Sequence, residues 1–303
     1  MTAAPWFRTP LLWLALLLVS ASAGSGEDSD LTYRSSVSEV RLTFFATESN
    51  RNVDRIGKGD FAVVDDQWVV RDFSSFTPLK FVKLQLVVLV DGSESVLPQY
   101  RREVANVMQL LGQAGSIRDD QVSVVWFSGA RPELICAGDC RTSPWLDHLL
   151  TAGANGATPL YDALVYASRF TAERPGPQLR PVFILFSDGL DTISMNSGRS
   201  AVEAALASEA QIYAIDLNSP RSSPGSAVLK NMAEVTGGRY FPVSEGAVKV
   251  LGAVLDDLHN GYLVSYKLPS RVEGFHAVQI FPTHNLDLQF RCRRGYYYPR
   301  AAR

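Results

Sequence analysis

The chain has 303 residues, 46% of them hydrophobic and 10% aromatic. That is enough apolar side chain for one large folded domain or two smaller ones, and it excludes a disordered polymer. The 29 basic and 31 acidic side chains leave a formal charge of −2, so there is no broad basic field of the kind that grips a phosphate backbone, and no nucleic-acid partner is expected.

In chain order, the first segment reads as an export signal. One positive charge, Arg8, precedes an apolar run from Leu11 to Val19, and Ala21-Ser22-Ala23 supplies an A-x-A cleavage pattern. Residues 1–23 are therefore expected to be a signal peptide that sends the protein to the periplasm or out of the cell. The run is shorter than the ~20 residues a spanning helix needs, so no stable membrane span is expected after cleavage.

Residues 24–83 form an N-terminal segment with β texture. Val37 to Ala46, Phe61 to Val64 and Trp68 to Phe73 read as short strands, separated by the turn-rich ESNRN and GKGD stretches. From Leu84 the texture changes to apolar runs alternating with amphipathic stretches. LQLVVLV, ending at Val90, is apolar apart from Gln85 and suits a strand buried on both faces. Tyr100, Val104, Val107, Met108 and Leu111 then recur at helical spacing, with Gly112 as a stop.

The alternation continues with strand Val122 to Phe127, a loop-rich stretch, and a helix carrying Leu160, Ala163, Leu164, Ala167 and Phe170. Strand Val182 to Phe186, helix AVEAALA, strand IYAIDL and two further helices follow, one stopping at Gly237-Gly238 and one bearing Val248, Leu251, Val254, Leu255 and Leu258. This order predicts a doubly wound, mostly parallel α/β domain over residues 84–259. Residues 260–303 return to β texture at Tyr262 to Tyr266, Ala277 to Phe281 and Leu286 to Arg291. Because the termini of folded units often lie close together, the two flanks are expected to pair into one small sheet or sandwich, with the α/β unit inserted between them.

Three cysteines are present. Cys136 and Cys140 are spaced to close a small disulfide loop in an oxidising compartment, which leaves Cys292 unpaired. The four histidines, His148, His259, His276 and His284, form no zinc-type cluster with them.

The chemistry gathers where strands end. The first core strand runs into Asp91-Gly92-Ser93-Glu94-Ser95, at the carboxyl rim where parallel sheets bind ligands. One carboxylate with two hydroxyls offers hard oxygen donors suited to Mg²⁺, Mn²⁺ or Ca²⁺. The same five residues also fit a plain strand-to-helix turn. Strand Val182 to Phe186 runs into Ser187-Asp188-Gly189, and Gly156-Ala157-Thr158-Pro159-Leu160 enters a helix between the two. Alone, Thr158 reads as a helix cap and Asp188 as a turn acid.

Together, in this order, the three segments resemble the metal-ion-dependent adhesion site of von Willebrand factor type A domains. GATPLYDA, ILFSDGLDT and EVTGGRYF resemble bacterial members, and the Asp60-Phe61 pair before the domain with RRGYYYP after it resembles exported bacterial proteins of this group. The resemblance implies a cation, most readily Mg²⁺ and otherwise Mn²⁺ or Ca²⁺, held by Asp91, Ser93, Ser95, Thr158 and Asp188. It further implies a protein partner whose Glu or Asp completes the coordination, so the expected role is binding and not catalysis. Position 92 is Gly where many members carry a bulkier residue, and Glu94 is an added carboxylate expected to face solvent. Two other readings stay open: a metal-assisted hydrolase, and a scaffold that binds through its β flanks. For the basic, aromatic tail, Arg291, Arg293, Arg294 and Tyr296 to Tyr298, the expectation is an edge strand with solvated arginines.

Overall fold

The computed structural model describes residues 39–298, apart from 50, 54, 114–120, 139, 141–144, 174–178, 219–222 and 243–246. The expected signal peptide lies outside the described residues. Among the described residues no helix is long and apolar enough to cross a membrane.

A six-stranded sheet forms the centre, in the order β11 (Tyr240–Pro242), β10 (Gln211–Asp216), β9 (Leu179–Ser187), β6 (Lys83–Asp91), β7 (Gln121–Ser128), β8 (Arg131–Gly138). All neighbours run parallel except β7 and β8, which are antiparallel. The apolar run in β6 feeds two cores because successive side chains of a strand point to opposite faces. Leu84, Leu86, Val88 and Val90 pack with Val104, Val107 and Leu111 of α1 (Tyr100–Gln113) and with Val250, Leu251 and Val254 of α6 (Ala247–His259). Val87 and Leu89 pack with α3 (Leu160–Ala172), α4 (Gly198–Ala207) and α5 (Pro224–Thr236) on the other face. The three-layer α/β architecture expected from the alternation is present.

The flanks pair. β1 (Glu39–Glu48) lies antiparallel to β12 (Tyr262–Lys267), with Val40 opposite Tyr266 and Leu42 opposite Val264. β14 (Leu288–Cys292) and the short β2 (Arg51–Asn52) flank β1, and β5 (Ser75–Pro78) flanks β12. A second, four-stranded sheet, β15 (Gly295–Tyr298), β13 (Gly274–Pro282), β3 (Phe61–Asp65) and β4 (Trp68–Val70), packs against it. Their shared core contains Leu42, Phe44, Phe61, Val63, Val264 and Tyr266. The rings of Phe44 and Phe61 stand 4.7 Å apart, within the range where aromatic pairs add to burial.

Three differences from the sequence reading have physical causes. The stretch between β7 and α3 holds two elements, β8 and α2 (Trp145–Ala152), where only loop was expected. β8 is an edge strand without a clean apolar period, interrupted by Pro132 and by a register shift opposite Val124 and Val125. Trp68 to Phe73 is no single strand: pairing with β3 ends at Val70, and β5 pairs instead with β12.

Of the tail arginines, Arg291 and Arg293 are drawn inward, while Arg294 stays exposed as expected. Arg291 lies over the Phe45 ring at 3.9 Å, donates to the carbonyls of Gly237 (2.5 Å) and Gly238 (3.1 Å), and pairs with buried Asp257 at 2.5 Å. Buried Arg293 donates to the Arg41 carbonyl, and Arg294 pairs with Glu234 at 2.8 Å. The tail is thus stitched onto the end of α5, so RRGYYYP and EVTGGRYF form one junction. Charged heads drawn inward in this way need fixed acceptors, and for Arg291 the carbonyls just past the end of α5 supply them.

Candidate metal centre

The site is assembled where β6 and β9 end side by side, with Val90 opposite Phe186. Asp91, the last residue of β6, is fully buried. One carboxylate oxygen accepts the Ser93 N–H at 3.0 Å, and the other accepts the Ser187 hydroxyl at 2.6 Å. Ser93 is buried, Ser95 is exposed, and their hydroxyls lie 3.0 Å apart. Glu94 points to solvent, as expected.

Asp188 follows Ser187 directly and is 5% exposed. Its carboxylate accepts the Leu190 N–H at 3.0 Å, and its backbone carbonyl is held by the Asn218 amide at 2.7 Å. Gly189 has φ +77°, and a Cβ there would stand 2.2 Å from the Gly225 carbonyl oxygen, so only glycine permits this sharp exit from β9.

Thr158, 2% exposed, arrives on a loop clipped to both others. The Glu94 N–H donates to Gly156 O at 3.0 Å, and the Thr192 N–H donates to Thr158 O at 2.9 Å. The hydroxyl of Thr192 in turn accepts the Thr158 N–H at 2.8 Å. The helix that follows, α3, lacks a side-chain cap of its own. Its first N–H groups donate instead to Asp191 (from Tyr161, 3.2 Å) and to the Ser194 hydroxyl (from Asp162, 3.1 Å). The orphan donors of a helix start are thereby used to fix the loop beyond Asp188. Among the described residues Thr158 joins the group through its backbone, with no side-chain hydrogen bond to either aspartate.

Gly92 has a steric reason. A Cβ at this position would lie 2.0 Å from Nε1 and 2.4 Å from Cε2 of Trp126. The indole of β7 covers the loop where a bulkier residue would otherwise stand.

Residues that sequence reasoning passed over complete the surroundings. Ser187 bridges Asp91 to the Gly189 N–H (3.0 Å). Glu103, on the inner face of α1, is 1% exposed. Its signal was present: at three positions from Tyr100 and four from Val107, it is a carboxylate in an apolar stripe. Burial, followed by the charge of Asp91, pushes Glu103 well above the usual carboxylate range, with the Asp91 N–H offsetting part of this. Burial likewise pushes Asp91 up to about 6, against the hydrogen bonds from Ser187 and Ser93 and with the charge of Asp188 adding to the rise.

These surroundings test whether the residues fit a cation. Three buried carboxylates, Asp91, Glu103 and Asp188, lie within electrostatic reach of one another, and among the described residues no basic side chain forms an ion pair with any of them. Buried charge of one sign is costly unless it is neutralised by protons or by a counter-ion. Carboxylates with neighbouring serine and threonine hydroxyls are a donor set for a hard divalent ion.

Residues 86–190, from β6 to just past Asp188, match the family model of the von Willebrand factor type A domain. The chain carries a von Willebrand factor type A domain. The matched stretch contains all five residues discussed above. No curated protein matches the chain. Among solved structures the chain is similar to an aerotolerance-related membrane protein from Bacteroides fragilis (15% identity, 58% of this chain and 98% of that one, TM-score 0.42). It is also similar to the conserved hypothetical protein BatB from Bacteroides thetaiotaomicron (15% identity, 57% and 98%, TM-score 0.45). A third is proximal thread matrix protein 1 of the mussel byssus with a zinc-occupied MIDAS motif (16% identity, 58% and 48%, TM-score 0.46).

The domain also carries a disulfide between Cys136 on β8 and Cys140, with Cα atoms 5.8 Å apart. Cys292 is a free thiol that burial pushes up to about 12.

Proposed function

We propose that the protein is an exported, metal-dependent protein-binding module of the adhesion type. Asp91, Ser93, Ser95, Thr158 and Asp188 hold a divalent cation, Mg²⁺ by preference and otherwise Mn²⁺ or Ca²⁺, and a Glu or Asp of a partner protein completes its coordination. The observation that carries this reading is the burial of Asp91, Glu103 and Asp188 within electrostatic reach of one another and without a basic ion-pair partner, on loops that also carry a rim of exposed apolar side chains.

That rim is made of Leu97, just beyond the Ser95 turn, and Leu190, Ile193 and Met195, in the loop that follows Asp188; they are 56%, 40%, 48% and 96% exposed. Exposed apolar side chains gathered on the loops of a charged centre mark a surface for a protein partner. The cation, when bound, supplies a Lewis-acidic centre that attracts a carboxylate. The chain's own residues do the rest. Ser187 and the Ser93 N–H fix the orientation of Asp91, while Asn218 holds the turn at Asp188. Asp191 and Ser194 tie the rim loop to the start of α3, so movement of Thr158 on binding would be passed to that helix.

The test is capture of proteins from the native source on the immobilised chain, with and without a chelator, beside an Asp91→Ala chain. The expected result is a partner retained only by the wild-type chain in the presence of a divalent cation. A partner that stays bound after chelation, and binds folded Asp91→Ala equally well, would overturn the proposal.

A further inference from the structure

We propose that Asp65, Asp66 and His276 form a second cation site, in the β sandwich and separate from the von Willebrand factor type A domain, suited to a borderline transition ion such as Zn²⁺. One ligand atom from each lies within 4.8 Å of the others. β3 ends at Asp65, the tight turn to β4 begins at Asp66, and His276 comes from the neighbouring strand β13.

The argument turns on the imidazole, which is 3% exposed. Its Nε2 lies 2.7 Å from the carbonyl oxygen of Val272. A carbonyl oxygen can only accept, so Nε2 carries the hydrogen, and Nδ1 is the nitrogen turned to the carboxylates, with a lone pair to present whenever the ring is neutral. Nδ1 stands 2.8 Å from Asp66 Oδ2, yet it is buried and has no partner in hydrogen-bonding geometry. A lone pair and a carboxylate oxygen at that separation repel each other unless a positive charge lies between them. A proton on Nδ1 would supply that charge in a plain ion pair, and a shared ion would supply it once the two groups part to the roughly 3.3–3.6 Å set by bonds of about 2.0–2.2 Å.

The surroundings hold each donor in place, as supporting groups do around metal ligands. Val272 fixes the tautomer and ring orientation of His276, which is also stacked on Tyr296 with centroids 5.1 Å apart. The Ala277 N–H donates to Asp66 Oδ1 at 2.9 Å, leaving Oδ2 toward the ring. Asp65, 1% exposed, accepts the hydroxyls of Tyr266 (2.9 Å) and Tyr296 (2.8 Å). One imidazole and two carboxylates suit zinc better than Mg²⁺ or Ca²⁺, which favour all-oxygen sets. Asp66 is 36% exposed, which gives the site an open side for entry and for a water as fourth ligand.

The experiment is equilibrium dialysis against Zn²⁺, using the full chain with Asp91→Ala so that the first centre lacks a ligand. One equivalent should remain bound, and adding Asp66→Asn or His276→Gln should weaken it at least about tenfold. If Asp91→Ala does not fold, the wild-type chain serves, and Asp66→Asn, a change at a partly exposed side chain, should remove one equivalent. Two results would overturn the site: zinc binding that neither substitution alters, or an imidazole protonated on both nitrogens near neutral pH by ¹⁵N NMR and unmoved by zinc. The latter would identify a plain His276–Asp66 ion pair. Neither result depends on whether the first centre binds a cation.

Discussion

Replacing Gly92 by alanine tests how the loop that carries Ser93 and Ser95 is held. The new Cβ would meet three indole atoms of Trp126 at 2.0, 2.4 and 2.8 Å, far inside contact distance. Either the half-buried indole must rotate away or the loop must lift. Overpacking of this kind costs about 1–3 kcal/mol. Lifting is resisted by the bonds from the Gly92 N–H to Phe127 O (2.9 Å) and from the Asn155 N–H to Gly92 O (2.8 Å). Trp126→Ala removes the obstacle and costs about 3 kcal/mol, the low end for truncating a tryptophan because Trp126 is only partly buried. In Gly92→Ala/Trp126→Ala the clash is gone, so the double variant should be close to Trp126→Ala alone, with a coupling of about 1–3 kcal/mol. Urea unfolding of the four chains measures this directly. Gly92→Ala as stable as wild type, or strict additivity of the two changes, would refute the steric account.

Other outcomes follow from single residues. Burial alone would raise the Asp162 carboxyl, but the N–H groups of Met195 and Asn196 and the Asn196 amide hold it below its ordinary 3.8. A lowered folded value means stability that is present above pH 3.8 and is lost as pH falls through the folded value. The melting temperature of Asp162→Ala should therefore lie below wild type at neutral pH, and the gap should close in acid; a gap independent of pH contradicts the assignment. Asp257, 1% exposed and facing Arg291 and Arg239, is the buried half of the tail junction. Its replacement by alanine leaves Arg291 with only the Gly237 and Gly238 carbonyls and should cost about 1–3 kcal/mol in chemical denaturation. Cys292, with its thiol pushed up to about 12 by burial, should resist a thiol reagent at mildly alkaline pH until the chain unfolds; stoichiometric labelling of the native protein would show otherwise.

The fold was legible where one physical signal dominated. The β-branched run ending at Val90 admits only a strand covered on both faces, and β1 carries Val40, Leu42, Phe44 and Ala46 at the two-residue period of a sandwich face. β8 was hidden because an edge strand needs no apolar period and tolerates Pro132. Arg291 and Arg293 misled because composition reports charge and not the carbonyls that await it: for Arg291 the acceptors at Gly237 and Gly238 come from a helix end 54 and 53 positions away. At the rim, strand ends announced Asp91 and Asp188, whereas Ser187 acts through its neighbours and carries little local pattern, and Glu103 showed only as a carboxylate in the apolar stripe of α1. Asp66 and His276 could not be joined from sequence, since 211 positions separate Asp66 from Ala277, the residue after that histidine.

The most direct test of the central claim is a Mn²⁺ titration followed by water-proton relaxation, comparing the wild-type chain with Asp91→Ala and Asp188→Ala. A bound ion that keeps an open, water-filled position enhances relaxation, so the account predicts that each substitution removes one enhanced equivalent while the chain stays folded. Full enhancement in both folded variants would show that the cation, if bound at all, sits elsewhere, and would contradict the assignment of the centre.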